Sequence, residues 1–140
     1  MLGIAIDQID KSNKSMGLFR LSGCPIIAYS WGQKSLFENP GFPIMNMINA
    51  YNHSGPLITT CLNTTKQCKL FKRASPVFYV WDLEWLKTSY SAKYLYDLYC
   101  DPQIPLIARS QSHFEILTKL WKKPIGIVKE FSYDDIIELF

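Results

Sequence analysis

The chain has 140 residues, of which 48% are hydrophobic and 14% aromatic, and its formal net charge is +3. This composition excludes an intrinsically disordered chain, and the length is sufficient for one domain with its own hydrophobic core. The positive charge is small and its lysines and arginines are scattered. We therefore do not expect the protein to bind nucleic acid by electrostatics alone.

The cysteines and histidines form no metal-binding pattern. They are Cys24, Cys61, Cys68, Cys100, His53 and His113. No two cysteines have the C-x-x-C spacing and the histidines are isolated from them, so we expect core thiols and no metal site. The sequence shows neither a signal peptide nor the run of about 18 apolar residues that a membrane span needs. We therefore expect a cytoplasmic protein without membrane contact.

The secondary structure of the first 24 residues is unclear from the sequence, and the first regular strand is predicted after them. Residues 1–6 fit an added strand, and residues 10–16 fit a polar turn. The apolar run at residues 25–31 predicts a strand. Asn, Pro and Gly in residues 33–42 predict a loop, and the spacing of apolar side chains in residues 44–51 predicts a helix.

Residues 57–99 alternate clearly between strand and helix patterns. The apolar runs at residues 57–62 and 77–81 predict two strands. Residues 65–74 have an apolar face and a basic face, which predicts a helix between these strands. A long helix is predicted over residues 83–99, with an interruption near Ser89.

The same alternation continues to the end of the sequence. Residues 104–108 and 124–128 are predicted strands, residues 111–122 are a predicted helix, and Ser132 caps a last helix. Strands that alternate with helices form a parallel sheet covered on both faces. The sequence therefore predicts a single α/β domain over residues 1–140, a three-layer α/β/α Rossmann-like fold with a mainly parallel sheet of five to six strands.

The segment from Val77 to Glu84 contains the best-placed candidate catalytic residues. Its uninterrupted apolar run is typical of a strand buried on both faces. Asp82 and Glu84 follow at the carboxyl end, where open α/β sheets bind ligands, so either could act as a base or bind a sugar hydroxyl. Two structural alternatives stay open: Asp82 could cap the next helix, and Glu84 could only complement a helix dipole.

Other candidate ligand-binding residues are expected at the same edge of the sheet. They are Trp31, Gly32, Thr60, Asn63, Arg109, Ser110 and His113, with Glu130 as a further candidate. Arg109 could hold a phosphate or carboxylate, as could backbone amides that follow Asn63 and Ser110. The alternatives are a structural ion pair between Arg109 and Asp82, a solvent-exposed His113, and tryptophans that only form the core or a crevice wall.

Several segments together resemble a known enzyme family. They are Val77-Phe-Tyr-Val-Trp-Asp-Leu-Glu-Trp-Leu86, Pro105-Leu-Ile-Ala-Arg-Ser110 with His113, and Pro124-Ile-Gly-Ile-Val128 with Phe131. Their order resembles the amino-terminal Rossmann-like half of a GT-B glycosyltransferase over residues 25–140. The glycine-rich dinucleotide motif, the P-loop and the G-x-S-x-G elbow are all absent from the sequence. The sequence also resembles small proteins of tailed bacteriophages of the cyanophage type, although no motif carries this resemblance. A phage protein of this kind would be located in the host cytoplasm.

The resemblance implies the acceptor-side half of a glycosyltransferase, which needs a partner chain to complete a donor site. It implies a sugar or nucleotide-sugar ligand and no other cofactor, with Asp82 or Glu84 as base and Arg109 and Ser110 near phosphate or acceptor. One alternative is a non-catalytic binding or assembly module, which joins a protein partner or another copy of itself through Tyr90, Tyr94 and Tyr96. Another is a nucleotide or nucleic-acid binder that uses the basic helix over residues 66–73.

Overall fold

A computed structural model describes residues 1–10, 12–33 and 39–140 of the chain. The described residues form an α/β fold in which helices cover both faces of one all-parallel sheet. The strands are β1 Leu2–Ile9, β2 Ile26–Gln33, β3 Ile44–Asn46, β4 Gly55–Thr59, β5 Ala74–Val80, β6 Leu106–Ala108 and β7 Gly126–Ile127. The helices are α1 Asn13–Phe19, α2 Leu62–Cys68, α3 Ala92–Tyr99, α4 Gln111–Leu120 and α5 Tyr133–Ile137, with 3-10 helices at Met47–Asn52, Glu84–Leu86 and Lys129–Phe131. The predicted fold class is confirmed, although the sheet has seven strands and not five to six.

Strand β1 fixes the organisation of the sheet. The strand order is β3-β2-β1-β4-β5-β6-β7, so β1 pairs with β2 on one side and with β4 on the other. Gly3, for example, is in register with both Ile27 and Leu57. Strands β2 and β3 are thus added on one side of β1, and strands β4 to β7 are added in sequence on its other side. Between β1 and β4 lies the topological switch point, where sheets of this kind open a crevice at their carboxyl edge.

Strand β5 is an interior strand, as its apolar run predicts. Its last four residues, from Val77 to Val80, are all buried, and the Phe78 side chain is fully so. Burying a side chain of this size contributes about 1.5–3 kcal/mol. The strand lies between β4 and β6, one position from the middle of the sheet, which β4 occupies.

The two faces of the sheet have separate hydrophobic cores. On one face, α1 and α5 cover apolar side chains of β1 and β5, among them Ile4, Ile6 and Tyr79. On the other, α3 and α4 cover Phe78 and other apolar residues of β5 and β6. The Met47–Asn52 helix and α2 complete this second face over the first half of the sheet. Both faces of the sheet are therefore covered, which gives the three layers.

Three predicted elements near the start of the chain differ from the structure. Residues 10–16 are not a polar turn, because the Ser12 side chain accepts a hydrogen bond from the Ser15 amide and caps α1. Residues 44–51 are not one helix, because residues 44–46 pair with β2 as an edge strand before the 3-10 helix begins. Part of the loop predicted over residues 33–42 lies outside the described residues.

Two predicted helices have the wrong bounds. The helix predicted over residues 65–74 begins at Leu62 and ends at Cys68, and residue Ala74 already belongs to β5. The long helix predicted over residues 83–99 is a short 3-10 helix followed by α3, because Ser91 accepts from the Tyr94 amide and starts a new helix. No helix in the described ranges is long and apolar enough to cross a membrane.

Candidate functional site

A crevice of about 180 Å³ opens at the switch point between the carboxyl ends of β1 and β4. The β1 side contributes Asp7 and Gln8, and the β4 side contributes Thr60 and Cys61. Lys14, on the first turn of α1, also lines it. The crevice therefore combines a carboxylate, an ammonium group and a hydroxyl, which are the groups that bind sugar hydroxyls and small anions.

Hydrogen bonds hold the β1 and β4 walls of the crevice together. The Thr60 hydroxyl is buried and donates to the Ala5 carbonyl at 3.0 Å. The Asn63 side chain donates to the exposed Asp7 carboxylate at 3.2 Å, across from α2 to β1. Cys61 occupies the cap position of α2, and burial raises the pKa of its thiol. The Cys61 thiol is therefore a structural cap and not an activated thiolate.

Asp82 lies next to this crevice through its contact with Lys14. One of its carboxylate oxygens lies 3.8 Å from the Lys14 ammonium, and the other lies 3.4 Å from the Lys87 ammonium. The 3-10 helix that follows begins after Leu83 without any side-chain cap, so the alternative that Asp82 caps it is wrong. Arg109 and Asp82 are both described and do not form an ion pair, so that alternative is wrong as well.

Glu84 is placed against the start of α2. One of its carboxylate oxygens accepts the Leu62 amide at 2.9 Å. Burial raises the pKa of the Glu84 carboxyl, while the hydrogen bond from Leu62 and the nearby Lys14 oppose this rise. The first amide of α2 is therefore paired with a carboxylate of the protein. The amides that follow Asn63, which the sequence offered to an anion, are paired as well, since Thr64 donates to the Cys61 thiol and Thr65 to the Cys61 carbonyl. A catalytic function for Glu84 stays a prediction.

Arg109 and Trp81 form a second group, in a cavity separate from the switch-point crevice. The Arg109 guanidinium donates to the Trp81 carbonyl at 3.0 Å and lies 5.7 Å from the centre of the Trp81 ring. Both side chains line a cavity of about 230 Å³ that also includes Arg20 and Glu130. Arg109 is thus held in one orientation by Trp81, directly after β5, and does not line the switch-point crevice.

Four further predicted residues lie outside both cavities. Ser110 caps α4 by accepting the His113 amide at 3.2 Å, and the half-buried His113 ring has a buried Nδ1 without a partner among the described residues. Trp31 is 44% exposed and donates from its indole to Gln67 on α2 at 2.8 Å. Gly32 lies near the end of β2, in register with Gln8. Their assignment as ligand-binding residues stays a prediction.

The sequence analysis missed Asp7 and Lys14, which line the crevice directly. Both depend on β1 and α1, the elements whose pattern was unclear. Five residues of β1, from Leu2 to Ile6, are buried, so the run was apolar enough to indicate an interior strand. Asp7 then follows a run of buried residues within β1, much as Asp82 comes after the buried run of β5, and this pattern could have identified it.

Two of the basic residues on α2 and directly after it are paired within the protein. The Lys69 ammonium lies 2.6 Å from the Asp101 carboxylate, and Lys66 lies 5.3 Å from the centre of the Tyr94 ring. These contacts reduce the charge that this helix could offer to a polyanion.

The largest of the cavities described here, about 380 Å³, opens at the opposite, amino-terminal edge of the sheet. Its walls come from apolar residues such as Leu2, Pro25 and Ile137, with Tyr133 beside them. Ligand sites need convergent polar groups as well as volume, so the smaller crevice is the better candidate. Within the described ranges, no cluster of His, Cys, Asp or Glu side chains is placed to hold a metal ion.

Comparisons with known proteins gave no relative for this chain. No protein-family model matches the sequence. No curated protein matches it. No solved structure matches the fold.

Proposed function

We propose that this chain is a glycosyltransferase-like protein that binds an acceptor sugar at the carboxyl edge of its sheet, beside Asp82. The observation that carries the proposal is the switch-point crevice, where Lys14 both lines the cavity and contacts the Asp82 carboxylate at 3.8 Å. Open α/β sheets bind their ligands at this position. The resemblance of residues 25–140 to the amino-terminal half of a GT-B glycosyltransferase supports the same assignment.

Asp82 is the residue best placed to act as the base of the transfer. In the proposed reaction, an acceptor hydroxyl oxygen forms a bond to the anomeric carbon of the donor sugar. The bond from that carbon to the nucleotide diphosphate breaks, and the diphosphate leaves with the electron pair. Asp82 takes the hydroxyl proton. Lys14 and Lys87 orient its carboxylate, whereas Glu84 holds the start of α2.

The size of the crevice supports a shared donor site. Pockets that enclose a drug-sized ligand have volumes of about 300–1,000 Å³. The crevice has about 180 Å³, which suits a sugar ring but not a complete nucleotide-sugar. We therefore assign the donor site to a partner chain, which would close over this edge.

Calorimetry with matched variants tests the proposal. Nucleotide-sugars and free sugars are titrated into the protein, alone and with candidate partner proteins. Asp82→Asn should weaken sugar binding at least tenfold and abolish transfer. Asp97→Asn is the control, because Asp97 is also paired with a lysine, Lys93, but lies on the exposed surface of α3. If no sugar binds, or if the two variants behave alike, the proposal fails.

A non-catalytic binding or assembly module is the second candidate. It is favoured by the contacts of Asp82 and Glu84, since both carboxylates already have partners within the protein. Of the three tyrosines predicted to contact a partner, Tyr96 is 63% exposed, whereas Tyr90 and Tyr94 are half-buried and stack on each other at 5.3 Å. This candidate predicts a dimer or a bound protein in light scattering, which Tyr96→Ser should weaken. A monomer at high concentration with nothing bound would exclude it.

A further inference from the structure

The cavity that contains Arg109 has an unusual charge arrangement. It has a volume of about 230 Å³ and lies between α1, the ends of β5 and β6, and the Lys129–Phe131 turn. Arg20 enters it from the end of α1, and Arg109 enters it from the end of β6. Neither guanidinium forms an ion pair with any described carboxylate. Two positive charges from separate elements therefore line one small cavity, whose wall also includes the Glu130 carboxylate.

Arg109 is oriented before any ligand arrives. One of its nitrogens donates to the Trp81 carbonyl at 3.0 Å, and the guanidinium lies over the Trp81 ring. An arginine has five N–H donors in a planar fork, so most of these donors remain available to an anion. Trp81 is itself fixed by the rings of Tyr79 and Phe131, at 5.5 and 5.3 Å. The cavity thus offers a pre-oriented fork beside an aromatic face.

Glu130 is held at this cavity by a strained turn. Glu130 and Phe131 have φ angles of 57° and 54°, in the left-handed region that side chains other than glycine rarely adopt. Such a conformation costs about 1–3 kcal/mol per residue and is concentrated at functional sites. The buried Phe131 ring packs against Tyr79, whose hydroxyl donates to the Val128 carbonyl at 2.7 Å. The packing of Phe131 therefore stabilises the turn that places Glu130 in the cavity wall.

We propose that this cavity binds an acidic sugar, a single sugar ring that carries a phosphate or a carboxylate. Arg20 and Arg109 would hold the anion, as guanidinium forks do. The Glu130 carboxylate would accept hydrogen bonds from ring hydroxyls, and the Trp81 face would contact the C–H side of the ring. The volume of about 230 Å³ suits one ring with its acidic group. This cavity shares no lining residue with the switch-point crevice, so the inference goes beyond the proposed function and adds a second, acidic-sugar site at the same edge of the sheet.

Calorimetry with four probes tests this inference. They are glucose 6-phosphate, glucuronate, glucose and inorganic phosphate. We expect glucose 6-phosphate, glucuronate or both to bind at least tenfold more tightly than glucose and inorganic phosphate, and the difference between the two acids identifies the acidic group. Equal binding of inorganic phosphate and the acidic sugars would overturn the sugar assignment, and no binding by either acidic sugar would overturn the inference.

Three matched variants place the binding at the arginines. Arg20→Gln and Arg109→Gln should each weaken binding of the acidic sugar at least tenfold. Arg20 forms no hydrogen bond comparable to that of Arg109 with Trp81, so Arg20→Gln tests the charge without disturbing β5. Arg73→Gln, which removes an exposed arginine beside β5, is the control and should have no effect. If Arg73→Gln weakens binding of the acidic sugar equally, the effect comes from the net charge of the protein and not from this cavity, and the inference is overturned.

The same variants separate this inference from the proposed function. If sugars bind and Asp82→Asn weakens them while Arg20→Gln does not, the acidic-sugar site is wrong and the switch-point site stands. If Arg20→Gln and Arg109→Gln weaken an acidic sugar while no transfer is found with any partner, the acidic-sugar site stands and the transferase function is wrong.

Discussion

Glu84 accepts the backbone amide of Leu62 at 2.9 Å and so joins the segment after β5 to the first residue of α2. The contact links two neighbouring connections at the carboxyl edge of the sheet. It also explains how a carboxylate in this position can be structural, because it satisfies an amide that the helix leaves unpaired. Asp82, two residues earlier, has only ion-pair partners and remains the carboxylate available to a ligand.

The Glu84 contact predicts a stability effect that depends on the side chain. Glu84→Ala should lower the free energy of unfolding by about 1–2 kcal/mol, since a capping acceptor is lost. Glu84→Gln keeps an oxygen that can accept the Leu62 amide, so its loss at neutral pH should be smaller. Urea unfolding measures both changes. An equal loss in the two variants would show that the hydrogen bond does not stabilise α2.

The pH dependence of Glu84→Gln should have a defined sign. Burial raises the pKa of Glu84 in the folded protein, so the folded state binds the proton more tightly than the unfolded state. The stability that comes from protonation of Glu84 is then fully present below its ordinary pKa of 4.5 and is lost as the pH rises through the raised value, while the hydrogen bond from Leu62 remains. The wild type should therefore lose stability relative to Glu84→Gln across this range. Glu138→Gln, at the exposed end of α5, is the control, and an opposite slope would contradict the assignment.

Gly17 allows α1 to approach Trp81 closely. A Cβ atom at this position would collide with the Trp81 ring, whereas a Cβ at Gly32 would meet open space. Overpacking costs about 1–3 kcal/mol, against a gain of about 1 kcal/mol when alanine replaces glycine in a helix. Gly17→Ala should thus lower the thermal midpoint and displace Trp81, visible as a change in tryptophan fluorescence. Gly32→Ala should change neither, and equal behaviour of the two variants would contradict the close contact.

The strained turn predicts that glycine at position 130 is favourable. The left-handed conformation costs a residue other than glycine about 1–2 kcal/mol of stability, which glycine avoids. Glycine in turn loses about 0.4–1 kcal/mol because its unfolded chain has more freedom. Glu130→Gly should therefore be about 1 kcal/mol more stable than Glu130→Ala, which keeps the Cβ atom and removes the same carboxylate. Denaturant unfolding compares the two. If Glu130→Ala is the more stable, the turn is not strained as the φ angle of 57° indicates.

The sequence predicted the fold class better than it predicted the site. Strands β4, β5 and β6 have short apolar runs between polar segments, so their existence and their parallel arrangement could be inferred. Strand β3 could not, because Ile44 and Met47 have helical spacing and only pairing with β2 decides the conformation. The interruption predicted near Ser89 in the helix over residues 83–99 is confirmed, but the residues before it form only one short 3-10 turn and Ser91 starts a new helix.

The site was only partly predictable for a related reason. Asp82 and Thr60 could be placed at the carboxyl edge from their positions after strands. Asp7 could have been placed there from the buried run before it, but its position across from Thr60, and that of Lys14, could not, since both depend on β1 being next to β4, a pairing between residues more than fifty positions apart. The hydrogen bond from the Leu62 amide to the Glu84 carboxylate joins two different strand-to-helix connections, and no local sequence pattern indicates it.

Mapping of a bound sugar by NMR tests the central claim most directly. The isotope-labelled protein is titrated with the neutral sugar that binds most tightly, and the backbone amides that shift are assigned. We predict that the shifts centre on the carboxyl edge of the sheet, at Asp7, Thr60 and Asp82, and that they are lost in Asp82→Asn but not in Asp97→Asn. Shifts centred on the amino-terminal edge or on Tyr96, or no shifts with any sugar, would contradict the assignment of a sugar site to this edge.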